Sequence, residues 1–116
     1  MLLDWLRPYC LSFPGTTEKI QWESNLVFKI AGKMFAIAKL EPGEHVLAFK
    51  CSPEDFAELT KRPGIDPAPY LARAQWVALS RETTIRRREL EGLLRKSYDL
   101  VSSKLSKAAS TASRTR

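Results

Sequence analysis

The sequence predicts a single α+β domain in which an antiparallel β-sheet packs on an N-terminal, a middle and a long C-terminal helix. Apolar residues recur at helical spacing near both ends of the chain and alternate with other residues in its middle, and proline- and glycine-containing turns separate these stretches. The 116 residues make one domain with a modest core. A hydrophobic content of 44% beside 28% charged residues is typical of a globular protein.

The N-terminal helix is predicted over residues 2–12, where apolar side chains are spaced three and four residues apart. Pro8 lies within this pattern, so we expect a kink or a later start, because proline removes a helical hydrogen bond. The segment Phe13-Pro14-Gly15 ends the helix. A short strand is predicted around Ile20 to Trp22.

A β-hairpin is the best-defined local unit of the sequence. Gly32 supplies its turn, and the two-residue loop is either Ala31-Gly32 or Gly32-Lys33. Both loops pair even-numbered with odd-numbered positions, and directly opposite residues share a face of the sheet. The predicted buried face consists of Leu26, Phe28, Ile30, Phe35 and Ile37, and the other face of Lys29, Ala36 and Ala38.

A second turn at residues 41–44 leads into a strand predicted over His45 to Lys50. The next helix begins at Ser52-Pro53-Glu54-Asp55, since serine caps, proline suits the first helical position and acids favour the positive end of the dipole. Pro63-Gly64 ends this helix. A further strand is predicted from Gln75 to Leu79.

The last helix is predicted to begin near Thr84, with a stripe of leucine and valine side chains on one side. From Ser106 onward the chain is rich in serine, alanine and threonine with scattered basic residues. This composition favours a disordered segment. The sequence therefore predicts a domain over residues 1–105 and a basic, disordered tail over residues 106–116.

A stiff connector, RPGIDPAPYLARAQWV, runs from Arg62 to Val77. Its three prolines fix their own backbone angles and hold the preceding residues extended. The connector then presents the bulky side chains of Tyr70 and Trp76. It is either a packing element or a binding edge, and burial of Trp76 against the sheet is favoured because tryptophan is on average highly buried.

Five segments resemble the MmcQ/YjbR family, whose members are small bacterial proteins labelled as DNA-binding. The resemblance reaches to about Leu105 and implies a YjbR-like fold. It also implies DNA binding, with two hairpins in the "double wing" arrangement proposed for the family, as a hypothesis separate from the fold. The segments are CLSFPGTTE (Cys10 to Glu18), LVFKIAGKMFAI (Leu26 to Ile37), FKCSPEDFAEL (Phe49 to Leu59), the connector, and SYDLV (Ser97 to Val101).

The net charge of +6 is confined to the end of the chain. Residues 1–80 contain nine basic and nine acidic residues, a balance of zero, whereas residues 81–116 contain ten basic and four acidic residues. This asymmetry favours a polyanionic partner. The alternative is a solvated helix face followed by a basic tail.

The two cysteines, Cys10 and Cys51, have neither metal-ligand spacing nor a nearby histidine cluster, so we expect reduced, buried thiols. No apolar run is long enough to span a bilayer, and the first residues do not form a signal sequence. The sequence therefore favours a cytoplasmic protein without a membrane partner. It indicates no metal and no cofactor.

Catalytic residues are not indicated by the sequence. The single histidine, His45, lies between a turn and a strand, where an incidental role is favoured over a catalytic one. No nucleophile elbow, phosphate-binding glycine loop or zinc spacing is present. The prediction is therefore a protein that is not an enzyme.

Candidate nucleic-acid contacts come mainly from the last helix. Three consecutive arginines at its start break a local rule, because the helix dipole disfavours cations there. They are either phosphate contacts or a soluble surface offset by neighbouring glutamates. Hairpin lysines resemble a groove-binding ribbon but also protect sheet edges from aggregation. The candidates are Lys33, Arg73, Arg86, Arg87, Arg88, Arg95 and Lys96, with Tyr70 and Trp76 as docking or stacking residues.

The leading interpretation is a non-catalytic binding module whose ligand is nucleic acid, with DNA as the ligand that the resemblance implies. The alternative is a protein-interaction module in which the connector, Arg62 to Val77, forms an apolar docking edge. The oligomeric state is left open by the sequence.

Overall fold

The computed structural model describes the backbone of residues 2–114 and the side chains of residues 2–104. Within these residues the chain forms α1 (Leu2–Leu11), β1 (Thr16–Gln21), β2 (Asn25–Ile30), β3 (Lys33–Lys39), β4 (Leu47–Lys50), α2 (Pro53–Leu59), β5 (Ile65–Pro67), β6 (Trp76–Leu79) and α3 (Arg87–Arg114), with a 3₁₀ turn at Ala72–Ala74. The strands make one antiparallel sheet in the order β1-β2-β3-β4-β6-β5. The predicted α+β fold is confirmed.

The main core lies between one face of the sheet and the three helices. Phe28 and Phe49 of the sheet and Leu6, Leu59 and Leu94 of the helices are at most 1% exposed and belong to one buried cluster. Burying a side chain of this size contributes about 1.5–3 kcal/mol. Helix packing on this face therefore fixes where α3 lies relative to the strands.

Local signals at two turns are confirmed. The hydroxyl of Ser52 accepts a hydrogen bond from the backbone N–H of Asp55 at 3.1 Å and caps α2. The β2–β3 loop is Ala31-Gly32, the first of the two predicted alternatives, and both residues have positive φ, +50° and +80°. This combination defines a two-residue turn whose twist matches that of the strands.

The predicted face assignment of the hairpin is wrong on β3. Phe28 lies opposite Ala36 and Val27 lies opposite Ile37, so Ala36 joins the helix-covered face and Ile37 the other face. The cause is a β-bulge, in which Phe35 is an extra residue between the Lys29–Met34 and Phe28–Ala36 pairs. Phe35 itself packs on the helix-covered face, with its ring centroid 6.4 Å from that of Phe28.

The second face of the sheet is also partly buried, which the alternation pattern did not predict. Ala68 and Trp76, both 3% exposed, cover Val27 and Ile37 there. Part of the connector forms the edge strand β5, which pairs with β6. Its Pro67 suits an edge, where a missing N–H is tolerated. The connector is therefore a packing element, as favoured from the sequence.

Some boundaries differ from those predicted. Helix α1 begins at Leu2 and includes Pro8, so a later start is wrong. Strand β1 begins at Thr16 rather than near Ile20, and α3 begins at Arg87 rather than near Thr84. The predicted division at residues 105 and 106 stays a prediction, because the side chains beyond Lys104 lie outside the described residues.

The two ends of the sheet carry different features. The turn end, as we name it, holds the Ala31-Gly32 turn, the last residue of β4 and the connector loop at residues 68–75. The opposite end holds the loop between β6 and α3. Helix α3 starts at the opposite end and reaches the turn end at Ser97, whose hydroxyl contacts β3 and β4.

Candidate nucleic-acid interface

Four cationic residues lie at the turn end, and we call them the basic cluster. Lys33 follows the hairpin turn, Lys50 ends β4, Arg73 lies in the connector loop and Lys104 lies on α3. Lys33, Arg73 and Lys104 are exposed and Lys50 is half-buried. Strand spacing of about 4.8 Å places β3 and β6 roughly 10 Å apart, since β4 lies between them.

Lys50 ties the parts of this cluster together. Its Nζ donates a hydrogen bond to the backbone oxygen of Ala74 at 2.6 Å, next to Arg73. Burial lowers the pKa of Lys50, and the positive charge of Lys104 lowers this pKa further. Two like charges thus lie close enough to repel each other, and an anion bound between them would relieve that repulsion.

Ser97 fixes α3 against the strands at this site. The Ser97 side chain is fully buried, and its hydroxyl donates to the backbone oxygen of Phe35 at 2.6 Å. The hydroxyl oxygen of Ser97 in turn accepts a hydrogen bond from the backbone N–H of Lys50 at 3.2 Å. Phe35 is the bulge residue, whose carbonyl needs a partner from outside the ladder. The bulge and Ser97 therefore set the position of Lys50 relative to the face of α3.

The arginine triplet lies at the opposite end. Helical rise of 1.5 Å per residue separates Arg87 from Lys104 by about 26 Å. Arg87 donates to Glu91 at 3.1 Å and its guanidinium carbon lies 4.9 Å from the Trp5 ring centroid. Arg86 and Arg88 are exposed. The structure therefore does not bring the triplet and Lys33 together.

Acidic neighbours occupy part of the remaining predicted surface. Arg95 donates to Asp99 at 3.2 Å and packs over the rings of Phe13 and Tyr98. Lys96 lies 3.5 Å from a carboxylate oxygen of Asp55. Both cations are exposed, so these ion pairs contribute little stability. They nevertheless offset positive charge along the middle of α3.

Glu89, in the first turn of α3, is paired with an arginine that follows α2. Arg62 donates to Glu89 at 3.0 Å and to Glu58 at 2.9 Å, joining α2 to α3. The hydrogen bond from Arg62 is the main reason why the pKa of Glu89 lies below its usual range. Arg62 is thus engaged in the fold, and its role in a basic surface is reduced.

The two aromatic candidates have opposite environments. Trp76 is 3% exposed, so it cannot present a ring face to a base. Tyr70 is fully exposed, at 104% of its reference area, in the connector loop at the turn end. Its backbone is left-handed, with φ of +66°. Stacking or docking by Tyr70 therefore stays a prediction. The burial of Trp76 argues against the same role for that residue.

Sequence reasoning did not put Lys50 and Lys104 together as site residues. They are 54 positions apart, and only the packing of α3 across β4 brings them close. Lys33 and Arg73 were candidates, but nothing local indicated that their loops share an end of the sheet. The alternation ending at Lys50 was the one available signal, since it places that lysine at the end of a strand.

The two cysteines and the histidine contribute to the structure of the domain. Cys10 and Cys51 are free and buried, as predicted, and burial raises the pKa of the thiols to about 12 and about 11, respectively. His45 contacts Asp66 at 2.9 Å, joining the start of the β4 segment to β5. Within the described part of the chain, no three candidate ligands are grouped for a metal ion.

Among the helices of the described residues, none combines the length and the apolar character that crossing a bilayer requires.

The sequence and the fold are similar to those of a known protein family. The sequence model of the YjbR family matches residues 11–100. The chain belongs to the YjbR family. A crystal structure of Deinococcus radiodurans protein DR2400, described with a DUF419 domain, is similar with 31% identity and a TM-score of 0.78, covering 88% of this chain and 79% of that one. No curated protein matches the sequence.

A second YjbR-like fold comes from Pseudomonas syringae. That protein's crystal structure has a TM-score of 0.71 and 23% identity, and the match covers 86% of this chain and 98% of that one. At this identity the likeness shows the fold alone. Together with the family match, it confirms the resemblance drawn from the five segments, while the functional label of YjbR proteins remains a separate matter.

Proposed function

We propose that this YjbR-family chain is a non-catalytic, cytoplasmic binding module that binds nucleic acid, with DNA as the first ligand to test, through the basic cluster. The observation that carries the proposal is the position of Lys33, Lys50, Arg73 and Lys104 at the same end of the sheet. A run of phosphates is the biological anion that four separated cations fit best. Free buried thiols agree with a reducing compartment.

The geometry supports contact with a phosphate backbone more than with one small anion. The exposed members stand on three different elements, a hairpin turn, a connector loop and a helix, at the same end of the sheet as the half-buried Lys50. Each can reach a different phosphate of one strand. Contacts of this kind position a ligand without reading its sequence.

The arginine triplet supports a second contact region only on a long ligand. Arg86 and Arg88 lie about 26 Å from Lys104 along α3, roughly the length of seven to eight duplex base pairs. A short oligonucleotide bound at the turn end would leave them free. Ligand length therefore distinguishes the two regions.

A salt titration tests the proposal. Binding of a labelled, GC-rich 6-base-pair duplex, about 20 Å long, is measured at increasing salt for the wild type and for the triple variant Lys33→Gln/Arg73→Gln/Lys104→Gln. Three lost phosphate contacts would reduce the slope of log affinity against log salt by about 2–3. The control variant Lys39→Gln/Lys61→Gln/Arg81→Gln removes the same charge outside the turn end and leaves most of the slope.

Two outcomes contradict the proposal. Absence of binding at low salt to the duplex and to each of its separated strands would remove the nucleic-acid function altogether. An equal loss of slope in the two triple variants would show a response to net charge and not to the basic cluster. If Arg86→Gln/Arg88→Gln reduces the slope for this short duplex as much, the binding surface lies at the start of α3 and the proposed site is wrong.

The alternative, a protein-docking edge along the connector, has narrower support. Trp76 is buried and Leu71 packs against the second face of the sheet, which leaves Tyr70 as the exposed aromatic of the connector. A single ring is a small apolar contact for a protein interface. Its position beside the basic cluster fits a nucleic-acid ligand better.

A further inference from the structure

Tyr70 has an environment that the fold does not explain. Its side chain is 104% exposed, so the ring makes no packing contact that reduces its area. Its φ of +66° lies in the left-handed region, which is unusual and strained for a residue other than glycine. A bulky ring is thus held in water on a strained backbone. Such strain points to a function outside the folding of the domain.

The loop that carries Tyr70 is held firmly. Pro67 and Pro69 restrict the backbone before it. After it, the N–H of Leu71 donates to the oxygen of Ala68 at 3.1 Å, and the N–H of Trp76 donates to the oxygen of Leu71 at 3.2 Å. The ring is therefore presented on an ordered loop, and binding to it requires little further ordering of the chain.

Cations surround this loop. Arg73 follows Tyr70 by three residues and is exposed, and Lys50 holds the loop through the oxygen of Ala74. Lys104 lies near Lys50. An exposed aromatic ring next to cations is the combination by which proteins bind unpaired nucleotides, with the base on the ring and the phosphates on the cations.

We propose that Tyr70 is a stacking platform for an unpaired base, so that the basic cluster binds a single strand or a single-stranded end in preference to a duplex. The preference follows because a paired base within a duplex has both faces covered by its neighbours and cannot reach the ring. This inference rests on the proposed function and specifies its ligand.

The test compares a labelled 12-nucleotide single strand with the matching duplex. Tyr70→Ala lowers affinity for the single strand about 5- to 150-fold, the range expected for one stacked base. Tyr70→Phe keeps affinity within about twofold, since stacking needs the ring and not the hydroxyl. Trp22→Ala, which removes a 60% exposed ring outside the turn end, leaves affinity unchanged.

Two further measurements separate stacking from charge and from folding. Tyr70→Ala leaves the salt dependence unchanged, because it removes no cation. A single strand that lacks one base, scanned through the 12 positions, loses affinity for the wild type at the stacked position but not for Tyr70→Ala. The variant keeps its circular dichroism spectrum and its urea midpoint, since the ring makes no packing contact.

The results can overturn the stacking role of Tyr70 without overturning the proposed function. Salt-dependent binding that Tyr70→Ala does not weaken would overturn the stacking role and leave the basic cluster intact. Equal weakening of duplex and single strand would overturn the preference for unpaired bases. Lack of binding to either oligonucleotide would overturn both proposals.

Discussion

Replacement of Ser97 by alanine tests how the fold builds the site. Ser97 is fully buried, and its hydroxyl satisfies both the carbonyl of the bulge residue Phe35 and the N–H of Lys50. Each buried polar group left without a partner costs about 1–3 kcal/mol. Alanine returns about 0.5 kcal/mol through its higher helix propensity. Because two such groups lose their partner, we expect a net loss of about 1.5–5.5 kcal/mol in the free energy of unfolding.

Urea unfolding followed by circular dichroism measures this loss. Ser103→Ala is the matched control, because Ser103 is exposed on the same helix and its replacement adds propensity without removing a buried partner. Ser97→Ala should unfold at lower urea than the wild type, and Ser103→Ala at the same or higher urea. Equal midpoints for the two variants would refute the role assigned to the Ser97 hydroxyl at the bulge.

Three other predictions concern local features. Ala31→Asn should stabilise the protein by about 0.5–1 kcal/mol in urea unfolding, because asparagine tolerates the φ of +50° better than alanine; a loss of stability would contradict this turn geometry. Cys10 and Cys51 should react with a thiol reagent at pH 8 only after unfolding, since burial raises their pKa, and rapid native-state labelling would contradict their burial. Stability should fall as pH drops through the lowered pKa of Glu89, because its pair with Arg62 is present above the ordinary glutamate pKa, and Glu89→Gln should flatten this pH dependence.

Local chemistry made part of the fold predictable. Ser52 and the Ala31-Gly32 turn act through neighbouring residues, and the sequence indicated both. The bulge at Phe35 could not be read from alternation, because it depends on a carbonyl satisfied by Ser97, 62 positions away. Strand β5 was hidden for a similar reason, since its three residues become a strand only through pairing with β6.

The sequence predicted some residues of the candidate site but not their common location. Lys33 and Arg73 were chosen for their charge, but their shared position depends on the strand order, which no local signal encodes. The same order separates them from Arg86 to Arg88, which the sequence had grouped with them. Burial of Trp76 and exposure of Tyr70 are likewise tertiary facts, because the two residues lie six positions apart in one connector.

Mapping of amide chemical shifts shows directly where an oligonucleotide binds. A ¹⁵N-labelled sample is titrated at low salt with a four-nucleotide single strand, which is too short to bridge the turn end and the start of α3, and the shifts are followed residue by residue. We expect saturable shifts at Lys33, Lys50, Tyr70 and Arg73, with little change at Arg86 to Arg88. Shifts confined to the start of α3, or a spectrum that the oligonucleotide leaves unchanged, would show that the basic cluster is not the binding site.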